Sequence, residues 1–140
     1  MVFFGATLRY TRAHFTRAIL ESVAYTLRKN LEIVERVGGP MREIRSTGGG
    51  ARIRLWLQIK ADVLQKPETT VDVEEAACLG AAMSGAVAAG CFASLEEAGI
   101  AMVRVRDRLE PVPANAPVYQ PGYAAYVELY NRLEPMFQRG

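Results

Sequence analysis

The sequence contains little of what metal, redox or nucleic-acid chemistry requires. Its 140 residues include one histidine and two cysteines, and the net charge is +2. Cys78 and Cys91 form no Cys-x-x-Cys pair, so we expect no zinc site, and such thiols fit the reducing cytoplasm. The small net charge gives no indication of a nucleic-acid partner. The apolar start, Val2-Phe3-Phe4, stops at Gly5 and is too short for a signal peptide.

The common catalytic and phosphate-binding motifs are also missing. The sequence has no GxxxxGK[ST] and no GxGxxG, which excludes a P-loop and a dinucleotide-binding fingerprint. No Ser/His/Asp set is apparent, and Asp62 and Asp72 are isolated. His14, next to Phe15 on a predicted helix, is expected to be structural rather than a catalytic base, and Trp56 to be core rather than a stacking platform. We therefore assign no catalytic residue and no metal ligand.

One segment of the chain is long and uncharged. Residues 76–95 contain no Asp, Glu, Lys or Arg, and about 20 such residues are enough to cross a membrane. The segment is mostly Ala and Gly and includes Ser84 and Ser94, a composition that contributes little to insertion. We interpret it as a buried helix of a soluble domain, with a membrane span as the alternative.

The pattern of apolar residues predicts a single domain of the α/β class, in which strands alternate with helices. An apolar stripe predicts a long helix after a Thr11 cap, which Gly38-Gly39-Pro40 ends. The stripe comprises Phe15, Ile19, Val23, Leu27, Leu31 and Val34. The other predicted elements are strands at 1–4, 43–47, 69–73 and 103–105, helices from Arg52 to Leu64, from Glu74 to Gly90, after Ser94 and from Gly122 to Phe137, and an extended proline-rich loop at 107–122.

Thr47-Gly48-Gly49-Gly50-Ala51 is the most informative stretch of the sequence. It lies between a predicted strand and a predicted helix. Glycine lets a backbone approach a ligand closely, and the start of a helix offers unpaired N–H groups to a phosphate. Two interpretations follow from the local pattern: a turn that contacts a nucleotide, or a tight turn whose glycines serve only steric needs.

Further residues occur in one known family in the same order. They are Gly5, His14-Phe15, Arg17-Ala18-Ile19-Leu20-Glu21, Gly48-Gly49-Gly50-Ala51, Trp56, Gln58, Ala61-Asp62, Glu75-Ala76-Ala77, Leu79-Gly80-Ala81-Ala82, Gly90, and the tail residues Pro111, Tyr119, Tyr123, Tyr126, Tyr130 and Pro135-Met136-Phe137. Over nearly its whole length the chain resembles the C-terminal domain of the FGGY carbohydrate kinases, and most closely the xylulose kinase branch. Ala6 is smaller than the aliphatic residue usual in that family.

The resemblance implies an actin-like ATPase fold with a ribonuclease H-like core. ATP and Mg²⁺ would lie in a cleft between two domains, and the γ-phosphoryl group would pass to a sugar hydroxyl. The glycine turn would line the adenosine pocket, which makes Gly48, Gly49, Gly50 and Ala51 nucleotide-binding residues. Arg54 falls where relatives often place an Asn near the adenine. The resemblance would thus make Arg54 a nucleotide-binding residue that departs from the common pattern and is able to stack or to contact a phosphate instead of hydrogen-bonding the base.

The resemblance also implies that residues 1–140 form only the C-terminal nucleotide-binding domain. The phosphate-binding segment, the sugar contacts, the catalytic aspartate and most Mg²⁺ ligands belong to an N-terminal domain that this sequence does not contain. We expect a cloned domain or a truncated reading frame that does not phosphorylate sugar alone. The alternative is a non-catalytic association module, in which the helix at 76–90 and the aromatic tail pair two copies of the chain.

Overall fold

The computed structural model describes residues 2–73 and 75–137. Within these residues, five α-helices, three strands and two short 3₁₀ turns follow one another in the order helix, strand, helix, strand, helix, helix, strand, helix. They are α1 (Arg12–Gly38), β1 (Ile44–Ser46), a 3₁₀ turn (Gly49–Arg52), α2 (Arg54–Leu64), β2 (Glu68–Val71), α3 (Ala76–Ala88), α4 (Leu95–Met102), β3 (Val105–Leu109), a 3₁₀ turn (Pro113–Asn115) and α5 (Ala116–Phe137).

The three strands form one mixed sheet in the order β1-β2-β3. Strand β1 pairs with β2 in parallel, with Ile44 opposite Glu68, and α2 forms the crossover between them. Strand β3 pairs with β2 antiparallel, and the register shifts between Thr70 and Val71. All four residues of β2 are buried, because this central strand is paired on both edges. The sheet confirms the predicted α/β class.

The start of α1 is fixed by a local cap. Thr11 N donates a hydrogen bond to His14 Nδ1 at 3.2 Å, and Thr11 Oγ1 lies 2.9 Å from the same atom. The His14 ring also stacks on Tyr10, with 5.4 Å between ring centroids. The predicted Thr11 cap and the structural role of His14 are therefore confirmed.

Tyrosines of α5 form the core with α1 and α2. The buried cluster comprises Ala24 and Tyr25 from α1, Ile59 and Val63 from α2, and Tyr119 and Tyr123 from α5. Burial raises the pKa of Tyr25 and of Tyr123 to about 12, because the ionised phenol loses hydration there. The predicted apolar stripe of α1 is not the buried face, since Ile19, Val23 and Leu27 are each 38% exposed. The face that packs against α5 instead carries Ala24 and Tyr25.

Two predictions at the ends of the chain were wrong. Residues 2–4 form no strand, and the predicted loop at 107–122 holds most of β3 and the beginning of α5. Helix α5 begins at Ala116 rather than Gly122. Pro117 fits its first turn, where the missing N–H would have no helical partner. Gly122 packs against α1 so closely that an added Cβ would lie 2.4 Å from Tyr25 Oη.

Other boundaries moved by a few residues. Helix α2 begins at Arg54 rather than Arg52, and α3 ends at Ala88. The predicted start of α3, Glu74, lies outside the described residues. Ser94 caps α4 as predicted, since its Oγ accepts a hydrogen bond from Glu97 N at 3.2 Å.

Asp62 is not isolated, contrary to the sequence-based expectation. Its side chain is 2% exposed and accepts hydrogen bonds from Gln58 Nε2 at 2.8 Å, Val112 N at 2.8 Å and Asn115 Nδ2 at 2.7 Å. Gln58 Nε2 also donates to the Glu110 carbonyl at 3.0 Å. Asp62 therefore joins α2 to the segment that leads into α5.

Replacing Asp62 tests this connection. Asp62→Ala should lower the free energy of unfolding by about 3 kcal/mol, because buried donors lose their shared acceptor. Urea denaturation measures the change. Glu128→Ala, an exposed carboxylate on α5, is the control and should change the stability by less than about 0.5 kcal/mol. A similar loss in both variants would contradict the anchoring role of Asp62.

Candidate functional site

The glycine turn joins the end of β1 to the start of α2. Gly48 has φ 73°, in the left-handed region that favours glycine. The 3₁₀ turn follows, and Ala51 N donates a hydrogen bond to the Gly48 carbonyl at 3.0 Å. The predicted strand–turn–helix order is confirmed, with a 3₁₀ turn inserted before the helix.

Gly50 is required by packing inside the chain. An added Cβ at this position would lie 2.7 Å from Trp56 Cζ3, which is closer than real side chains approach. The partly buried indole of Trp56 therefore packs against the turn at Gly50 and supports it. This contact gives Gly50 a steric role, and its predicted contact with a nucleotide stays a prediction.

Gly49 has no such requirement. Its φ is not positive, and an added Cβ would meet no described atom within 4 Å. Gly49 instead borders an open cavity of about 310 Å³ beside the turn. The fold thus explains Gly48 and Gly50, whereas the missing side chain of Gly49 leaves space open to a ligand.

The cavity lies where β1 and β2 end. The carboxyl ends of parallel strands are the usual place for ligands in α/β folds. Two arginines and two carboxylates line the cavity together with the turn. The lining residues are Gly48, Gly49, Ala51, Arg52, Val71, Asp72, Val73, Glu75 and Arg106.

The structure brings together three of the five predicted binding residues. Gly48, Gly49 and Ala51 line the cavity, whereas Gly50 and Arg54 do not. Arg54 is the exposed first residue of α2. It lies close enough to Asp107 to help lower the pKa of that carboxylate. The predicted nucleotide contact of Arg54 remains a prediction.

The sequence pattern missed the charged residues of the cavity. Asp72 and Glu75 follow β2, and the rule that ligands lie at the carboxyl ends of parallel strands could have indicated them. Arg52 follows the glycine turn directly. Arg106 had no such signal, because the antiparallel register of β3 brings it to the cavity.

Arg106 is held by its neighbour in β3. Its Nε donates to Asp107 Oδ2 at 3.0 Å, and Thr70 Oγ1 donates to the same oxygen at 3.2 Å. The Arg106 hydrogen bond is the main cause of the lowered pKa of Asp107, and Thr70 adds to it. Asp107 is therefore a partner of Arg106 at the edge of the cavity, in a pair whose side chains are about half exposed.

The described residues offer backbone groups and charges at this cavity rather than a catalytic set. In residues 2–73 and 75–137, no group of three or more His, Cys, Asp or Glu side chains is placed to hold a metal ion. No helix in the same part of the chain is long and apolar enough to cross a membrane. The arrangement is suited to binding an anionic or polar ligand through main-chain groups and guanidinium groups.

The model of one protein family matches this chain. The matched model is the FGGY family of carbohydrate kinases, C-terminal domain, and it covers residues 1–89. The chain belongs to this family. The matched range includes the glycine turn, α2 and the end of β2, so the elements that form the cavity are mostly elements of the family's C-terminal domain.

Relatives in the FGGY family extend the match beyond residue 89. A xylulose kinase from Staphylococcus epidermidis is 33% identical over 134 residues, 96% of this chain and 27% of the relative. A ribulokinase from Mycolicibacterium smegmatis is 37% identical over 139 residues, 96% of this chain and 25% of the relative. The chain therefore spans only about a quarter of the length of these FGGY kinases.

A solved structure of the same family has the same fold. The crystal structure of xylulose kinase from Rhodospirillum rubrum matches with a TM-score of 0.84 and 34% sequence identity, over 99% of this chain and 28% of that chain. The match confirms the α/β fold of actin-like ATPase type that the resemblance implied.

Substitutions at Gly50 and Gly49 distinguish a role in packing from a role in ligand access. Gly50→Ala should lower the free energy of unfolding by about 2 kcal/mol, because the new methyl group overlaps the Trp56 ring. Gly49→Ala is the matched control and should change it by less than about 0.5 kcal/mol. Urea denaturation followed by the fluorescence of Trp56, the single tryptophan, measures both. Equal stability of the two variants would show that Trp56 does not support Gly50.

Proposed function

We propose that this chain is the ATP-binding part of a carbohydrate kinase that transfers the γ-phosphoryl group of ATP to a sugar hydroxyl. The observation that carries the proposal is Gly49, whose missing side chain the fold does not require and which borders the cavity at the strand ends. A cavity of about 310 Å³ is at the lower end of the range for small-molecule sites. Membership of the FGGY family of carbohydrate kinases supports a nucleotide as the ligand of this cavity.

The residues present fit a nucleotide better than a complete magnesium site. Gly48, Gly49 and Ala51 give adenosine or a phosphate access to the backbone, and the guanidinium groups of Arg52 and Arg106 suit phosphate oxygens. Asp72 and Glu75 are the two carboxylates that line the cavity. Mg²⁺ prefers near-octahedral oxygen ligands and is usually shared with substrate phosphates. We infer that the ion is held mainly by residues outside these 140.

Bound ATP supplies the phosphoryl group, and the residues of this chain bind and orient the nucleotide. Phosphoryl transfer depends on positioning and on stabilising charge, and it needs a group that accepts the proton of the sugar hydroxyl. We assign none of the described lining residues of the cavity to a sugar. We infer that the sugar is bound by another part of the kinase and that residues 1–140 form its C-terminal nucleotide-binding domain.

The sugar class follows from the relatives alone. The names of the related proteins are xylulose kinase, ribulokinase and L-fuculokinase. Xylulose and ribulose are ketopentoses, whereas L-fuculose is a six-carbon deoxy ketose. Xylulose kinases recur among the relatives, so a ketopentose, with xylulose first, is the proposed acceptor of the full-length kinase.

Filling the cavity beside Gly49 tests nucleotide binding. The wild-type chain should bind ATP in isothermal titration calorimetry, and Gly49→Leu should weaken binding at least about tenfold, because the new side chain occupies the ligand space. Gly80→Ala on α3, another open glycine away from the cavity, is the control and should bind ATP like the wild type. No heat with the wild type, or equal affinity of Gly49→Leu, would contradict the proposal.

The 140 residues should not phosphorylate sugar by themselves. Incubation with ATP, Mg²⁺ and D-xylulose should give no sugar phosphate above the level of a sample without protein. Formation of xylulose phosphate in proportion to the amount of protein would show that these residues contain the acceptor site as well.

A second candidate is an association module that pairs two copies of the chain. Helix α3 favours it. The expectation that this uncharged segment forms a buried helix was wrong, since none of the residues of α3 is buried and none carries a charge. On α4, Leu95 and Ile100 are 57% and 79% exposed. Apolar surface of this kind often marks an interface.

Sedimentation velocity and ATP titration separate the two candidates. A chain that forms dimers through α3 and binds no ATP would favour the association module. Ala82→Glu places a charge on the exposed surface of α3 and should then return the chain to the monomer. A monomeric wild type that binds ATP would rule out association as the main function.

A further inference from the structure

A buried ion pair joins α2 to the central strand β2. Lys60 Nζ and Glu68 Oε1 are 2.6 Å apart, and the two side chains are 7% and 0% exposed. Taking two charges out of water costs much of what their attraction returns, so apolar residues of similar size are often at least as stable. A gain in the free energy of unfolding is therefore a poor explanation for the presence of this ion pair at the centre of the fold.

The ion pair is tied to the strand that enters the glycine turn. Ser46, the last residue of β1, accepts a hydrogen bond from Lys60 Nζ and donates one to Glu68 Oε1. The other oxygen of Glu68 has no hydrogen-bond partner among the described residues. Lys60 and Ser46 therefore stabilise the Glu68 carboxylate. These contacts hold Ser46 in place, and Ser46 lies two residues before Gly48.

Lys60 also contacts the residue that supports the middle of the turn. Its Nζ lies 5.6 Å from the centroid of the Trp56 ring, one helical turn earlier on α2. The same ring is in contact with Gly50. One ammonium group therefore links the strand residue that precedes the turn and the aromatic ring on which the turn rests.

We propose that Lys60 and Glu68 are positioning residues that set the shape of the glycine turn for its ligand. They do not line the cavity, so they act through Ser46 and Trp56 rather than by touching the nucleotide. The ligand named here, ATP, rests on the proposed function. The positioning itself concerns only the turn and is measured without ATP.

The test removes both charges together. Lys60→Met with Glu68→Leu leaves no uncompensated buried charge and should keep the free energy of unfolding close to that of the wild type. Acrylamide should quench Trp56 more strongly in this double variant, because the turn no longer covers the ring. The Kd for ATP should rise about tenfold or more, as when a supporting contact behind a binding residue is lost.

A second Lys–Glu pair provides the matched control. Lys66 Nζ and Glu35 Oε1 are 2.8 Å apart, just beyond the C-terminal end of α2 and so at the end opposite the glycine turn. Lys66→Met with Glu35→Leu makes the same chemical change there. It should leave both the quenching of Trp56 and the Kd for ATP at their wild-type values.

The possible outcomes test the positioning role and the proposed function separately. A folded Lys60/Glu68 double variant with wild-type quenching and wild-type ATP affinity would overturn the positioning role. If the wild type binds no ATP, the proposed function fails, and the quenching of Trp56 alone decides the positioning role. If the double variant does not fold, Glu68→Gln is measured in the same way. It keeps an acceptor for Ser46 but loses the charge, and unchanged quenching and affinity would overturn the proposal as well.

Discussion

Helix α2 buries seven of its eleven residues, and two of the seven, Lys60 and Asp62, are charged. Buried charges must be paired or hydrogen-bonded, so each of these two residues requires a polar partner on the segment that packs against it. Lys60 requires Glu68 and thereby fixes α2 on the sheet. Asp62 requires donors from the segment before α5. These two buried charges therefore specify which polar groups lie against α2, while Ile59 and Val63 pack into the apolar core.

The candidate site depends on the same helix. Trp56 and Lys60 lie one turn apart on α2, and the glycine turn rests on the first and is tied through Ser46 to the second. The turn is therefore held by groups that are mostly buried, while its outer side, with Gly49, borders the cavity. If the turn binds the proposed ligand, this rigid support would limit the entropy lost on binding.

The three glycines of the turn illustrate why a glycine-rich pattern is ambiguous. Gly48 is explained by its backbone angle and Gly50 by the Trp56 ring, which are steric reasons within the chain. Gly49 has neither steric reason and borders the cavity. The steric interpretation therefore accounts for two of the three glycines, and the contact of Gly49 with a nucleotide stays a prediction.

The sequence by itself determined the local features: the Thr11 cap with His14, the Ser94 cap, the strand–turn–helix order around the glycines and the α/β class. These features arise from hydrogen bonds and steric preferences that act over a few neighbouring residues. The sequence motifs also indicated the family. Only the tertiary structure decided which face of α1 is buried, that α5 begins at Ala116 with Pro117 in its first turn, and that Asp62 is bound by residues about 50 positions away. It likewise brought Arg106 to the cavity. These outcomes depend on contacts between distant segments, which no local pattern specifies.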